Sequence, residues 1–100
     1  MNRYALTPRA AEDLDEIWEF VFEDKSPERA DAVIERIRES LELVASMPSM
    51  GHCRDDLADE SLRVWSVYSY LIVYRPDQRP IEVVRIVGGY QDIPHLFAPE

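Results

Sequence analysis

Tyr70-Leu71-Ile72-Val73-Tyr74-Arg75 and Ile81-Glu82-Val83-Val84-Arg85-Ile86-Val87 decide the fold of this 100-residue chain. Both runs are rich in β-branched and aromatic residues, which favour strands. Both are apolar at nearly every position rather than at alternate ones, the mark of a strand covered on both faces. Pro76-Asp77-Gln78-Arg79-Pro80 between them reads as a hairpin turn. A third run, Leu62-Arg63-Val64-Trp65-Ser66-Val67, precedes them and is set off only by Tyr68-Ser69. Breaks this short place the three runs in one antiparallel sheet.

Upstream of the strands the apolar period changes to that of helices. Thr7-Pro8 and Ser26-Pro27-Glu28 are start signals: the hydroxyl caps free amides, and proline at the first helical position gives up a bond that was absent anyway. Leu14, Ile17, Trp18, Val21 and Phe22 form the first stripe, with Glu12, Asp13, Asp15, Glu16 and Glu19 read as remaining surface. Ala30, Val33, Ile34, Ile37, Leu41 and Val44 form the second, and Met47-Pro48-Ser49-Met50-Gly51 stops it. The short connection near Asp24-Lys25-Ser26 forces an antiparallel helical hairpin. Residues 2–6 read as an opening strand that pairs with one of the later three, in the sheet interior or at an edge next to the final strand.

The expected fold is therefore α+β in the order β-α-α-β-β-β. A helical hairpin (8–47) packs on one face of a small, mainly antiparallel sheet (62–88), a tail follows (90–100), and one domain spans 1–100. The other sheet face has no evident cover, because residues 52–61 are polar and acidic without a pattern. A half-covered apolar sheet points to a partner.

The net charge of −9 disfavours binding through phosphate neutralisation, so no direct sequence-specific nucleic-acid binding is expected. No apolar run approaches the roughly 20 residues that cross a bilayer. With no apolar signal core behind Met1-Asn2-Arg3-Tyr4, the expected location is cytoplasmic. Cys53 is alone, which excludes an intrachain disulfide or a cysteine zinc cluster. Neither Asp13/Asp15/Glu16 nor Asp55/Asp56/Asp59/Glu60 has the spacing of a cation loop, and no metal or cofactor is expected. The basic residues of the sheet half are all arginine, a composition suited to an acidic, amphipathic peptide. Arg54, Arg63, Trp65, Arg75, Arg85 and Tyr90 are the candidate partner- or target-binding residues, with Arg75 and Arg85 expected to meet a partner's acids. Arg63, Arg85 and Tyr90 are also the set that could cleave RNA, yet arginine stays protonated and makes a poor base. A non-catalytic role is preferred.

Tyr4-Ala5-Leu6-Thr7-Pro8-Arg9-Ala10-Ala11-Glu12-Asp13-Leu14-Asp15-Glu16-Ile17-Trp18 resembles the opening of ParE-type toxins, of the RelE/ParE superfamily of type II toxin–antitoxin modules. The Pro48-x-x-Gly51 turn and the runs Tyr70–Arg75 and Glu82–Val87 match the same family in register. The resemblance implies a growth-inhibiting toxin of the plasmid-stabilisation type. It implies neutralisation by a ParD-like antitoxin in a heterotetramer or larger complex, and DNA gyrase as the target. A ribosome-dependent mRNA endoribonuclease of the RelE type, or an inactive antitoxin-binding relative, is the alternative. Gly88-Gly89-Tyr90-Gln91-Asp92 stands where many relatives carry His-Gly-x-Arg-Asp, which counts against activity carried by those positions. The acidic balance and the lack of sheet lysines disfavour ribosomal RNA cleavage, so the ParE branch is preferred.

Overall fold

The computed structural model describes residues 3–54, 57 and 59–88. The tail 90–100, with Tyr90, lies outside the described residues, as do Gly89, Asp55 and Asp56. Strand β1 (Tyr4–Leu6) leads into helices α1 (Pro8–Asp24) and α2 (Pro27–Ser46), a short 3-10 turn (Pro48–Met50), and strands β2 (Arg63–Val67), β3 (Tyr70–Arg75) and β4 (Ile81–Gly88). The sheet order is β1-β4-β3-β2. β1 runs parallel to β4 at one edge, and the other neighbours are antiparallel.

Both capping expectations hold. Thr7 Oγ1 accepts from the Ala10 amide at 3.1 Å, and Ser26 Oγ accepts from the Arg29 amide at 3.1 Å. Leu14, Ile17 and Val21 of α1 join Val33, Ile37, Leu41 and Val44 of α2 over Ile72, Tyr74, Ile81, Val83 and Ile86 of the sheet. Phe22 departs from its expected stripe. Val21 already holds the core-facing position of that turn, and Phe22, about 100° further round the helix, is exposed and stacks on Trp18 at 5.1 Å.

The second sheet face corrects a sequence expectation, because it is not left bare. Leu57 and Leu62 pack with Val64, Val73 and Val87 in a separate buried cluster. The segment after Gly51 is carried across by a two-bond antiparallel bridge: the His52 and Val64 amides each donate to the other's carbonyl at 2.8 Å. Two leucines in an otherwise acidic stretch give no periodic signal, yet they cover the middle of the face. The most exposed large apolar residues described are instead Phe20, Phe22, Leu43, Met47 and Tyr68, on the helices, the C-cap of α2 and the β2–β3 turn.

Candidate functional site

Arginine placement is the key to this molecule, and most of the predicted arginines are already engaged. β4 carries a bulge: Val73 faces Arg85 and Tyr74 faces Val83, so Val84 is an additional residue. The β1–α1 junction grips that irregularity. The Thr7 amide donates to the Val83 carbonyl at 3.1 Å, and Thr7 Oγ1 donates to the Val84 carbonyl at 2.9 Å. Beside it, Arg85 meets the Asp13 carboxylate through Nε at 2.8 Å and Nη2 at 3.2 Å. The same carboxylate accepts from the Ile86 amide at 3.0 Å. Asp13 is 3% exposed, so this is a buried, charge-assisted clamp between α1 and β4 rather than solvated surface.

Arg75 fastens the cover of the second face. Its Nη1 lies 2.9 Å from Asp59 Oδ2, and its Nε lies 3.2 Å from Glu82 Oε1. Hydrogen bonds from Ser61, and then from Arg75, hold the Asp59 carboxyl below its ordinary range. Arg63 donates to the Gly51 carbonyl at 2.8 Å and so ties β2 to the turn that ends α2. Tyr74 completes that tie from the core. Its hydroxyl donates to the Pro48 carbonyl at 2.6 Å and accepts from the Gly51 amide at 3.0 Å. A Cβ at position 51 would overlap the Tyr74 hydroxyl, which is why glycine ends this turn. Burial raises the Tyr74 phenol above its ordinary value.

The structure thus brings Arg63 and Tyr74 together at the helix stop, and places Arg75 and Arg85 in separate internal ion pairs. Arg54 is half-buried and its carbonyl accepts from the Leu57 amide at 3.2 Å, within the segment covering the second face. Trp65 is half-buried and stacked on His52 at 6.2 Å. It borders a groove of about 260 Å³ between α2 and β2, with Leu43, Val67 and Tyr68. Among the described residues no three His, Cys, Asp or Glu side chains converge as a metal site, and no helix is long and apolar enough to cross a membrane. Asp13 and Tyr74 were not singled out from sequence as site residues. Asp13 does sit three residues after Ala10 and four before Ile17, on the apolar stripe itself, and a charge on that stripe was the available signal.

The family model described as the ParE toxin of the type II toxin–antitoxin system parDE matches residues 4–93. Toxin ParE1 of Caulobacter vibrioides is 30% identical over 87 residues, covering 87% of this chain and 88% of the relative. Toxin ParE3 of the same organism is 28% identical, covering 93% and 92%. Toxin ParE1 of Mycobacterium tuberculosis is 26% identical, covering 92% and 94%. A solved structure of the chromosomal ParDE system from P. aeruginosa superposes with a TM-score of 0.74 at 22% identity, over 85% of this chain and 92% of the other, which establishes the common fold.

Proposed function

The chain belongs to the ParE toxin family of type II toxin–antitoxin systems, and from that premise we propose a toxin that a ParD-like antitoxin neutralises in a heterotetramer or larger complex and whose target is DNA gyrase. The observation that carries this reading is the family match over residues 4–93, which spans every described strand and helix. It acts in the cytoplasm, where gyrase works. Inhibition proceeds by binding to the target rather than by bond cleavage. Two features support that choice. Arg63 is directed at backbone carbonyls and Arg85 is clamped by Asp13, so neither guanidinium is free to neutralise a phosphoryl transition state. The exposed apolar residues Phe20, Phe22, Leu43, Met47 and Tyr68 supply contact surface for protein partners.

Inducible expression, alone and with the antitoxin encoded beside it, tests the reading. Alone, the protein should arrest growth with filamentation and gyrase-dependent DNA breaks while translation continues; the antitoxin should reverse this. Rapid loss of messenger RNA would overturn the gyrase assignment, and unaffected growth with folded protein present would overturn the toxin assignment.

A further inference from the structure

Counting which arginines already have anionic partners leaves a cluster at one end of the sheet. Arg9, Arg36, Arg75 and Arg85 are each paired with carboxylates. Among the described residues, Arg3, Arg29 and Arg38 show no ion pair, and Arg63 and Arg79 donate to backbone carbonyls, Arg79 to those of its own turn at Pro76 and Gln78. Of these, Arg38 lines a groove of about 480 Å³ with Tyr4, Leu6, Leu14 and Pro80, and Arg3 and Arg79 each directly adjoin in sequence a residue that lines it. Arg79 directly precedes Pro80, and the Arg3 carbonyl accepts from the Ile81 amide at 3.2 Å.

The same groove runs along an open sheet edge. β1 is an edge strand, paired only with β4. The bonds Ile81 amide to Arg3 carbonyl and Thr7 amide to Val83 carbonyl show that Arg3 and Thr7 point their backbone groups inward. By alternation, the amides and carbonyls of Tyr4 and Leu6 point outward, away from β4, and no other described strand pairs with them. An unpaired arginine cluster in a chain of net charge −9 selects an occupant that carries acids there. The apolar walls Leu6, Leu14 and Pro80 require a side chain to fill the groove.

We propose that the free edge of β1 receives an extended, acidic segment of the antitoxin as a fifth strand, with its carboxylates on Arg3, Arg38 and Arg79 and one apolar side chain in the groove. This rests on the toxin–antitoxin reading above, and it moves the charge contacts away from Arg75 and Arg85, which the fold uses internally. Glu35 and Glu42, which act electrostatically on Tyr4 from α2, limit how far along the groove the acids extend.

The test uses the full-length toxin and the antitoxin encoded beside it. The R3E/R38E/R79E variant should fold normally, because these side chains show no ion pair among the described residues, and its affinity should fall by about tenfold or more at low salt. In wild type, amide exchange at Tyr4 and Leu6, read by NMR, should slow by roughly a hundredfold when the antitoxin binds. A complex that forms with unprotected Tyr4 and Leu6, or with affinity indifferent to the triple reversal, overturns the edge site while leaving the module intact. Absence of any complex with wild type sinks both. Protection of these amides that rises with toxin concentration alone assigns the edge to a second copy. Spectral shifts at Arg38 on adding a single-stranded oligonucleotide, with none on adding antitoxin, assign the arginines to phosphate. Either result overturns the proposal.

Discussion

Replacing Asp13 with alanine is expected to destabilise the fold by about 3–5 kcal/mol, the range for breaking a buried ion pair from one side. The figure follows from what the carboxylate holds. Its side chain is 4% exposed and its partner Arg85 is 15% exposed, so neither can turn to water. Alanine strips two N–H contacts from Arg85 and one from the Ile86 amide. The orphaned Ile86 amide alone costs about 1–3 kcal/mol. Arg9, whose Nη2 lies 3.6 Å from Asp13, then faces Arg85 without the intervening charge. A domain of this size stands only about 5–15 kcal/mol above its unfolded state, so the variant should be marginal. Asparagine should lose less, since it keeps an acceptor for Ile86. Urea unfolding followed by Trp18 and Trp65 fluorescence and by far-ultraviolet circular dichroism gives the difference. Adding Arg85→Met to Asp13→Ala should recover part of the loss, with a coupling of about 1–3 kcal/mol. A loss under about 1 kcal/mol for Asp13→Ala, or strict additivity in the double variant, would refute the clamp.

Gly51→Ala should destabilise by about 1–3 kcal/mol through overlap with the Tyr74 hydroxyl. Tyr74→Phe should cost a similar amount by orphaning the Gly51 amide, and the two together should cost less than their sum, as thermal unfolding would show. Tyr68 sits at φ 53°, the first central position of the two-residue turn joining Val67 to Tyr70, where a positive φ favours glycine. Tyr68→Gly should therefore stabilise by about 0.5–1 kcal/mol in the same denaturation assay. Alkaline titration reports on the buried phenol. Burial raises the folded value of Tyr74 above 10.0, so its contribution is complete below pH 10.0 and is lost as pH rises through that higher value. Tyr74→Phe should flatten this alkaline loss only in part, because Tyr4 is raised in the same direction, by burial first and then by Glu42.

The helices and strands were legible because each is specified locally. Thr7-Pro8 and Ser26-Pro27 carry their own capping chemistry, and the stripes of α1 and α2 carry their own period. β3 and β4 were legible as doubly buried runs. What covers their second side was not, because Leu57 and Leu62 act singly and through tertiary contact with Val73 and Val87. The pairing of β1 is likewise set at a distance, by Thr7 reaching residues 83 and 84. The candidate arginines were recognised by type and by strand, but sequence does not show which of them already face an acid. Asp13 and Arg85 are 72 positions apart.

That pair nonetheless suggests how to read charges in other small acidic domains. An acid on an apolar helical stripe and a base inside an apolar strand are each costly to bury alone. When a short chain contains one of each, mutual burial is the arrangement that removes both costs at once. Asp13 and Arg85 satisfy that condition, and so the fold itself takes up an arginine that the sequence offered for both chemistry and recognition. Arg75 follows the same logic in a milder, half-exposed form, holding Asp59 and Glu82 across the second sheet face. The cations that the edge-strand proposal uses, Arg3, Arg38 and Arg79, show no carboxylate partner among the described residues. A recognition surface in such a domain is thus defined by subtraction: a charge buried in the core pattern belongs to the fold, and a charge beside an open strand edge is the one available to another chain.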